Sequence, residues 1–224
     1  MLAACIAACA LLGCGSDDGD SDPGPTGSTP TAIGEARGLP ADTEVTIEGV
    51  VTVSPGVYNS SLGDLGFGVQ DQSGGVYVSI AEVVDAEVGD RVRVIGRLAQ
   101  VAQQTTVIAS GKAAVELLEG AGTVATTEVA TGDVGESTEG SLVSVSGAVT
   151  QALVDDSPYG FKVFIDDGSG EVQIFVHIID GEPLADVASI AVGQAVSATG
   201  FSGQYEATYE VMPRSASDFA VAQP

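Results

Sequence analysis

The chain has no tryptophan, a single histidine and only three cysteines, Cys5, Cys9 and Cys14, all at its start. Beyond Cys14 there is no thiol for a disulfide framework, a thiolate metal site or a Cys–His nucleophile pair. One imidazole, that of His177, does not make a histidine-based metal centre. A Ser–His–Asp triad finds no Gly-x-Ser-x-Gly turn to seat its serine. The glycine-rich phosphate loops and the His-Glu-x-x-His zinc helix are absent as well. From these absences no enzymatic activity and no cofactor are expected. Positive charge is also scarce: 7 Lys+Arg stand against 31 Asp+Glu, a formal net charge of −24. Such a surface repels polyphosphates, so nucleic acid is disfavoured as a partner. Aromatic residues make up 5% of the chain, whereas there are 30 glycines and the ordered-looking stretches are rich in Val and Thr. That composition favours strands and turns over helices.

What is present begins with an address. Residues 1–13 and Cys14, MLAACIAACALLGC, are small and apolar, then break sharply into GSDDGDSDPGPTGSTPT. An apolar run ending in small residues reads as a secretory signal and is too short for a permanent membrane span. Leu11-Leu12-Gly13-Cys14 resembles a bacterial lipobox; looser versions precede Cys5 and Cys9, but Cys14 has the longest apolar run before it. The resemblance implies that residues 1–13 are a signal peptide and that Cys14 becomes the lipidated first residue, held in the cell envelope. Gly15 rather than Asp follows Cys14, which by the same resemblance points to the outer membrane or cell surface rather than the inner membrane. Residues 14–32 then form an acidic tether; residues 15–32 hold four Asp and three Pro and no large apolar group, so they cannot bury a core. Eighteen such residues span roughly 20–25 Å.

The remainder is a repeat. VTIEGVVT (Val45 to Thr52) matches VSVSGAVT (Val143 to Thr150) at an offset of 98. VQDQSGGVYV (Val69 to Val78) matches IDDGSGEVQI (Ile165 to Ile174) at 96, and VGDRVRVIG (Val88 to Gly96) matches VGQAVSATG (Val192 to Gly200) at 104. Three matches in one order, with offsets drifting only by loop lengths, define two homologous modules, 33–122 and 125–222. Within each, apolar residues alternate with a period near 2, the mark of half-buried strands. The Asp-Gln-Ser-Gly-Gly and Asp-Asp-Gly-Ser-Gly stretches supply hairpin turns. Each segment between the third and fourth strands has room for at most a short helix.

Five strands with a long first strand, a central hairpin and a Gly turn before the fourth strand resemble the OB-fold modules of secreted bacterial proteins. Such modules accompany extracellular nucleases and also stand alone in lipoproteins. The resemblance implies an all-β chain of two tandem five-stranded Greek-key barrels; paired β-sandwiches are the competing architecture. Alternation places Val69, Val76 and Val78 inside the first barrel, with Gln70, Tyr77 and Ser79 outside. In the second, Phe161, Val163, Ile165, Val172, Ile174 and Val176 point in, leaving Lys162, Phe164, Gln173, Phe175 and His177 outside. These eight outward residues are candidates for a ligand face or an interface, because OB-folds use this face for oligonucleotides and oligosaccharides. The outward Phe164 and Phe175 mark the second module as the main contact surface, towards a ligand, a partner or the other module.

Two further clusters have plainer readings. Arg91, Arg93 and Arg97 sit on a strand expected beside the one carrying Glu48, so cross-strand ion pairing accounts for them. Asp155-Asp156 and Asp166-Asp167, near Glu171, could supply oxygens to Ca²⁺, but turn chemistry explains them equally well and no EF-hand spacing occurs. The leading expectation is a non-enzymatic envelope lipoprotein whose modules bind a protein or glycan partner. The alternative is binding of single-stranded nucleic acid, as the likeness to nuclease-associated modules implies.

Overall fold

The computed structural model describes residues 29–58 and 62–222; the expected signal segment, Cys14 and the expected tether as far as residue 28 lie outside the described residues. The first module is a closed barrel of β1 (Glu44–Val53), β2 (Phe67–Gln70), β3 (Gly75–Ser79), β4 (Asp90–Val101) and β5 (Gln104–Ile108). Strand β1 pairs antiparallel with both β2 and β4, β3 pairs parallel with β5, and β4 with β5 closes the ring in the order β1-β2-β3-β5-β4. An outer strand β6 (Val115–Ala121) adds to β4. After a short β7 (Thr127–Glu128), the same ring recurs as β8 (Leu142–Val149), β10 (Gly160–Asp166), β11 (Val172–Ile179), β13 (Ala195–Tyr205) and β14 (Thr208–Met212), again with one parallel pair, β11 with β14. Short strands β9 (Val154–Asp156), β12 (Glu182–Pro183) and β15 (Phe219–Val221) trim its edges. The fold is therefore all-β, with two OB-type barrels rather than sandwiches.

The repeated pattern explains the rings. Val45, Ile47 and Val51 of β1 are buried in the first core with Val69, Val76 and Val78, as alternation requires. Gly49 sits on the same face because a Cβ there would stand 2.7 Å from the Gln70 carbonyl oxygen; only glycine lets β1 cross β2 so closely. The register of β1 on β2 then shifts between Val51 and Val53, a bulge that turns Val53 out of the barrel. In the second core Val163, Ile165, Val172, Ile174 and Val176 pack together, with Phe161 half-buried against them.

The segments between β3 and β4 and between β11 and β13 contain no helix. The one α-helix among the described residues, α1 (Ile33–Ala36), precedes β1 instead, and its Ile33 and Ala36 are buried in the first core. A 3₁₀ turn at Thr131–Asp133 takes the corresponding position in the second module. Thr31, within the compositional tether, already donates its N–H to the Thr46 carbonyl at 2.8 Å.

The duplicated hairpin has a physical role here. Asp71 accepts the Ile33 N–H at 2.9 Å, and the Ser73 hydroxyl oxygen accepts the Gly34 N–H at 2.8 Å. One repeat later, Asp167 accepts the Thr131 N–H at 3.1 Å and Ser169 accepts that of Gly132 at 2.9 Å. Each Asp-x-Ser turn thus clasps the segment that opens its own module by satisfying N–H groups that have no helical partner.

A third core joins the barrels. Val53, Tyr58 and Tyr77 of the first meet Phe175, Phe201 and Met212 of the second. Backbones also touch: a Cβ on Gly75 would overlap the Gly140 carbonyl. Around this contact Gln104 accepts the Gln204 N–H at 3.0 Å, and Arg214 donates to the Thr52 carbonyl at 3.1 Å. Arg37 reaches Glu136 and the buried Glu139 at 3.2 and 3.3 Å, and Glu139 in turn accepts the Thr105 N–H at 3.0 Å. Burial pushes the Glu139 carboxyl above its ordinary range, opposed by the Thr105 hydrogen bond and Arg37.

Candidate functional site: the cleft between the barrels

The outward residues do not all face water. Alternation places Tyr77, Ser79, Gln173, Phe175 and His177 correctly outside their own barrels, but each is buried, with exposures of 5, 5, 8, 8 and 3%. The register holds and the surroundings differ: Tyr77, Phe175 and His177 meet groups of the other module, whereas Ser79 is paired with Asp64 and Gln173 with Glu210 within their own modules. Phe175 belongs to the third core. His177 stacks on Tyr58 with ring centroids 4.8 Å apart and meets Phe175 edge-on at 4.8 Å. Ser79 and Tyr77 both donate hydroxyls to Asp64, the latter at 3.0 Å. Gln70 is half-buried and spans the modules, accepting the Leu142 N–H at 2.8 Å and donating to the Ala125 carbonyl at 3.3 Å. Phe164 is half-buried and stands outside the third core. Lys162 is also half-buried, its Nζ 2.9 Å from Asp156.

Beside the third core the two modules leave a cleft of about 570 Å³, within the range of small-ligand sites. Tyr58, Tyr77, Phe175, His177 and Met212 supply an apolar and aromatic lining. A polar wall comes from adjacent strands of the second barrel. Lys162 of β10 is registered opposite Phe175 of β11, and Gln173 of β11 opposite Glu210 of β14. Gln173 donates to the Glu210 carboxylate at 2.5 Å. At the mouth stand Tyr159 and Tyr205, 61% and 54% exposed. The cleft thus joins aromatic surface to a small set of convergent polar groups.

A buried carboxyl and a buried imidazole are among the groups that line it. The Glu210 carboxyl is pushed up to about 7 by burial, against the lowering influence of Gln173 and Lys162. Burial pushes His177 down to about 4, so its imidazole is neutral. Its Nε2 lies 3.3 Å from the Met212 sulfur, while Nδ1 is buried without a hydrogen-bond partner. Enclosed by Tyr58, Phe175 and Met212, His177 serves as a packing residue of the inter-barrel core. Tyr58 is fixed above it by donating its hydroxyl to the Met212 carbonyl at 2.6 Å.

The other clusters resolve into local structure. Arg93 pairs with Glu48 at 2.6 Å across β1 and β4, and with Glu116 at 2.7 Å. Arg91 and Arg97 donate to the Glu119 and Asp42 carbonyls at 3.2 and 2.7 Å. Asp155 accepts the Ser157 N–H at 2.9 Å and Asp166 that of Gly168 at 2.6 Å, the turn chemistry of such residues. Glu171 accepts from Thr150 and Gln151 at 2.5 and 2.7 Å. Among the described residues no group of three or more His, Cys, Asp or Glu is placed to hold a metal ion.

Sequence reasoning missed Glu210, Tyr58, Tyr159 and Tyr205. Glu210 sits on the outward face of a strand, where a glutamate reads as solvated. Tyr58 and Tyr159 lie in connections, beyond the reach of periodicity.

No protein-family model matches the chain, and no curated protein sequence matches it. Its fold is similar to solved structures at low identity. One is a murine DNA-binding protein bound with double-stranded DNA (12% identity, TM-score 0.43, covering 80% of this chain and 97% of that one). Others are the tetrameric p202 HIN2 (12%, TM-score 0.39, 83% and 97%) and the p204 HINb domain (10%, TM-score 0.38, 82% and 100%).

Proposed function

We propose that the chain is a non-enzymatic binding protein of the bacterial cell envelope, lipid-anchored through Cys14, that takes a protein or glycan partner in the cleft between its barrels. The cleft carries this reading: about 570 Å³ of space, lined by aromatic rings and by the Gln173–Glu210 and Lys162–Asp156 pairs. Such a combination of apolar lining and few convergent polar groups suits recognition. The Leu-Leu-Gly-Cys motif and the acidic tether support the anchor, and Gly15 after the cysteine supports the outer membrane or cell surface. A pull-down from native envelopes with the mature chain tests the reading: a partner should be retained, and its retention should fall when Lys162 or Tyr159 is replaced.

A second reading, binding of single-stranded nucleic acid, draws on the OB topology itself. Against it stand the net charge of −24 and the burial of Tyr77, Phe175 and His177 between the barrels, which removes those rings from base stacking. Fluorescence polarisation with oligonucleotides at low salt separates the two; tight, salt-sensitive binding would establish the second reading.

A further inference from the structure

Resting on the reading of the cleft as the binding site, we infer that its ligand is a neutral carbohydrate chain, held by the Glu210–Gln173 and Lys162–Asp156 pairs and stacked on Tyr159 and Tyr205 at the mouth. The charge balance selects the class. Lys162 is the one cation among the described residues of the lining, and it is already paired with Asp156 at 2.9 Å. A phosphate or carboxylate ligand would have to compete with Asp156 and would meet Glu210 as a second anion, while gaining no unpaired cation. A neutral, hydroxyl-bearing ligand meets no such penalty. Its hydroxyls both donate and accept, which suits a wall made of a carboxyl, an amide, an ammonium and a carboxylate. Glu210, pushed up to about 7, is present in both protonation states near neutrality and so offers a donor as well as an acceptor.

The aromatic groups select further. Tyr159 and Tyr205 expose 61% and 54% of their surface at the cleft mouth, which leaves two rings free to stack on a flat ligand face. A sugar ring presents an apolar C–H face and a polar rim, matching rings above a polar wall. The volume of about 570 Å³ accommodates a short segment of a chain, and the mouth rings lie where the chain would leave.

The test uses the full mature chain, fluorescently labelled, on an array of neutral glycans, acidic glycans, peptides and oligonucleotides, followed by calorimetry on the best binder. The expected result is binding to neutral glycans, weakened at least tenfold by Tyr159→Ala with an unchanged melting temperature, and weakened similarly by Gln173→Ala. Binding only of acidic glycans, peptides or oligonucleotides, still weakened by Tyr159→Ala, would overturn the carbohydrate assignment and leave the cleft as the site. Binding of any of these that is indifferent to both substitutions would overturn the cleft itself. Failure of every neutral glycan to bind would also end the proposal.

Discussion

Tyr58 of the first barrel stacks on His177 of the second, ring centroids 4.8 Å apart and planes 22° from parallel. The contact links a loop after β1 to the third strand of the other barrel, and Phe201 lies tilted 6.4 Å from Tyr58 beside it. Two barrels that could each have hidden their own cores are thereby fixed in one arrangement, and the cleft beside the contact acquires a defined shape.

Phe175 is buried in this joint and Phe164 is not part of it. Phe175→Ala should therefore cost about 3–5 kcal/mol in denaturant unfolding of the full chain. Phe164→Ala, at a half-buried position, should cost markedly less. Equal losses from the two would place Phe164 in a packed interface as well.

Stability should depend on pH in two opposed ways. The Glu210 carboxyl, raised from 4.5 to about 7, contributes stability that is complete below pH 4.5 and is lost as pH rises through 7. His177, lowered from 6.5 to about 4, contributes stability present above pH 6.5 and lost as pH falls through 4. Chemical denaturation between pH 4 and 8 should show Glu210→Gln removing much of the decline on the alkaline side while leaving the acid side intact. An unchanged alkaline decline in that variant would show that Glu210 does not titrate there.

The two hairpin clasps should behave as separate copies of one device. Asp71→Ala and Asp167→Ala each strand N–H groups of the segment that opens the module, so each should lower the melting temperature. Because the clasps belong to different modules, the double variant should show the sum of the single effects. A double variant no worse than either single one would mean that the clasps are coupled.

If Cys14 carries the proposed lipid anchor, replacing it by Ser should release the protein from membranes and abolish labelling by radioactive lipid precursors. Persistent labelling would assign the anchor to Cys5 or Cys9.

Much of this architecture was legible in the sequence. Alternation sorted Val69, Val76 and Val78 from Tyr77 and Ser79, and the repeat of three blocks announced two equivalent barrels. Arg93 with Glu48 was readable because cross-strand neighbours follow from strand order. What the period of two cannot report is what lies beyond a strand's outer face. Phe175 is therefore recognisable as a contact residue without its contact being assigned, and His177 reads as outward, until the other barrel is placed against them. The bulge at Val51–Val53, which sends Val53 into the joint, has no signature in a run of β-branched residues. Arg37 and Glu139 meet across 102 positions, and nothing local to either announces the other. Glu210 illustrates the same limit at the site: its chemistry comes from burial, which nothing in the run Thr208–Met212 announces.

The central claim is that the cleft between the barrels is where this protein meets its partner. A photo-reactive benzoylphenylalanine placed at Tyr159, on the cleft mouth, and separately at Val83, exposed and outside the cleft lining, tests it in native envelopes. The account predicts a light-dependent adduct from position 159 and none from position 83. An adduct from position 83 with none from position 159 would contradict it.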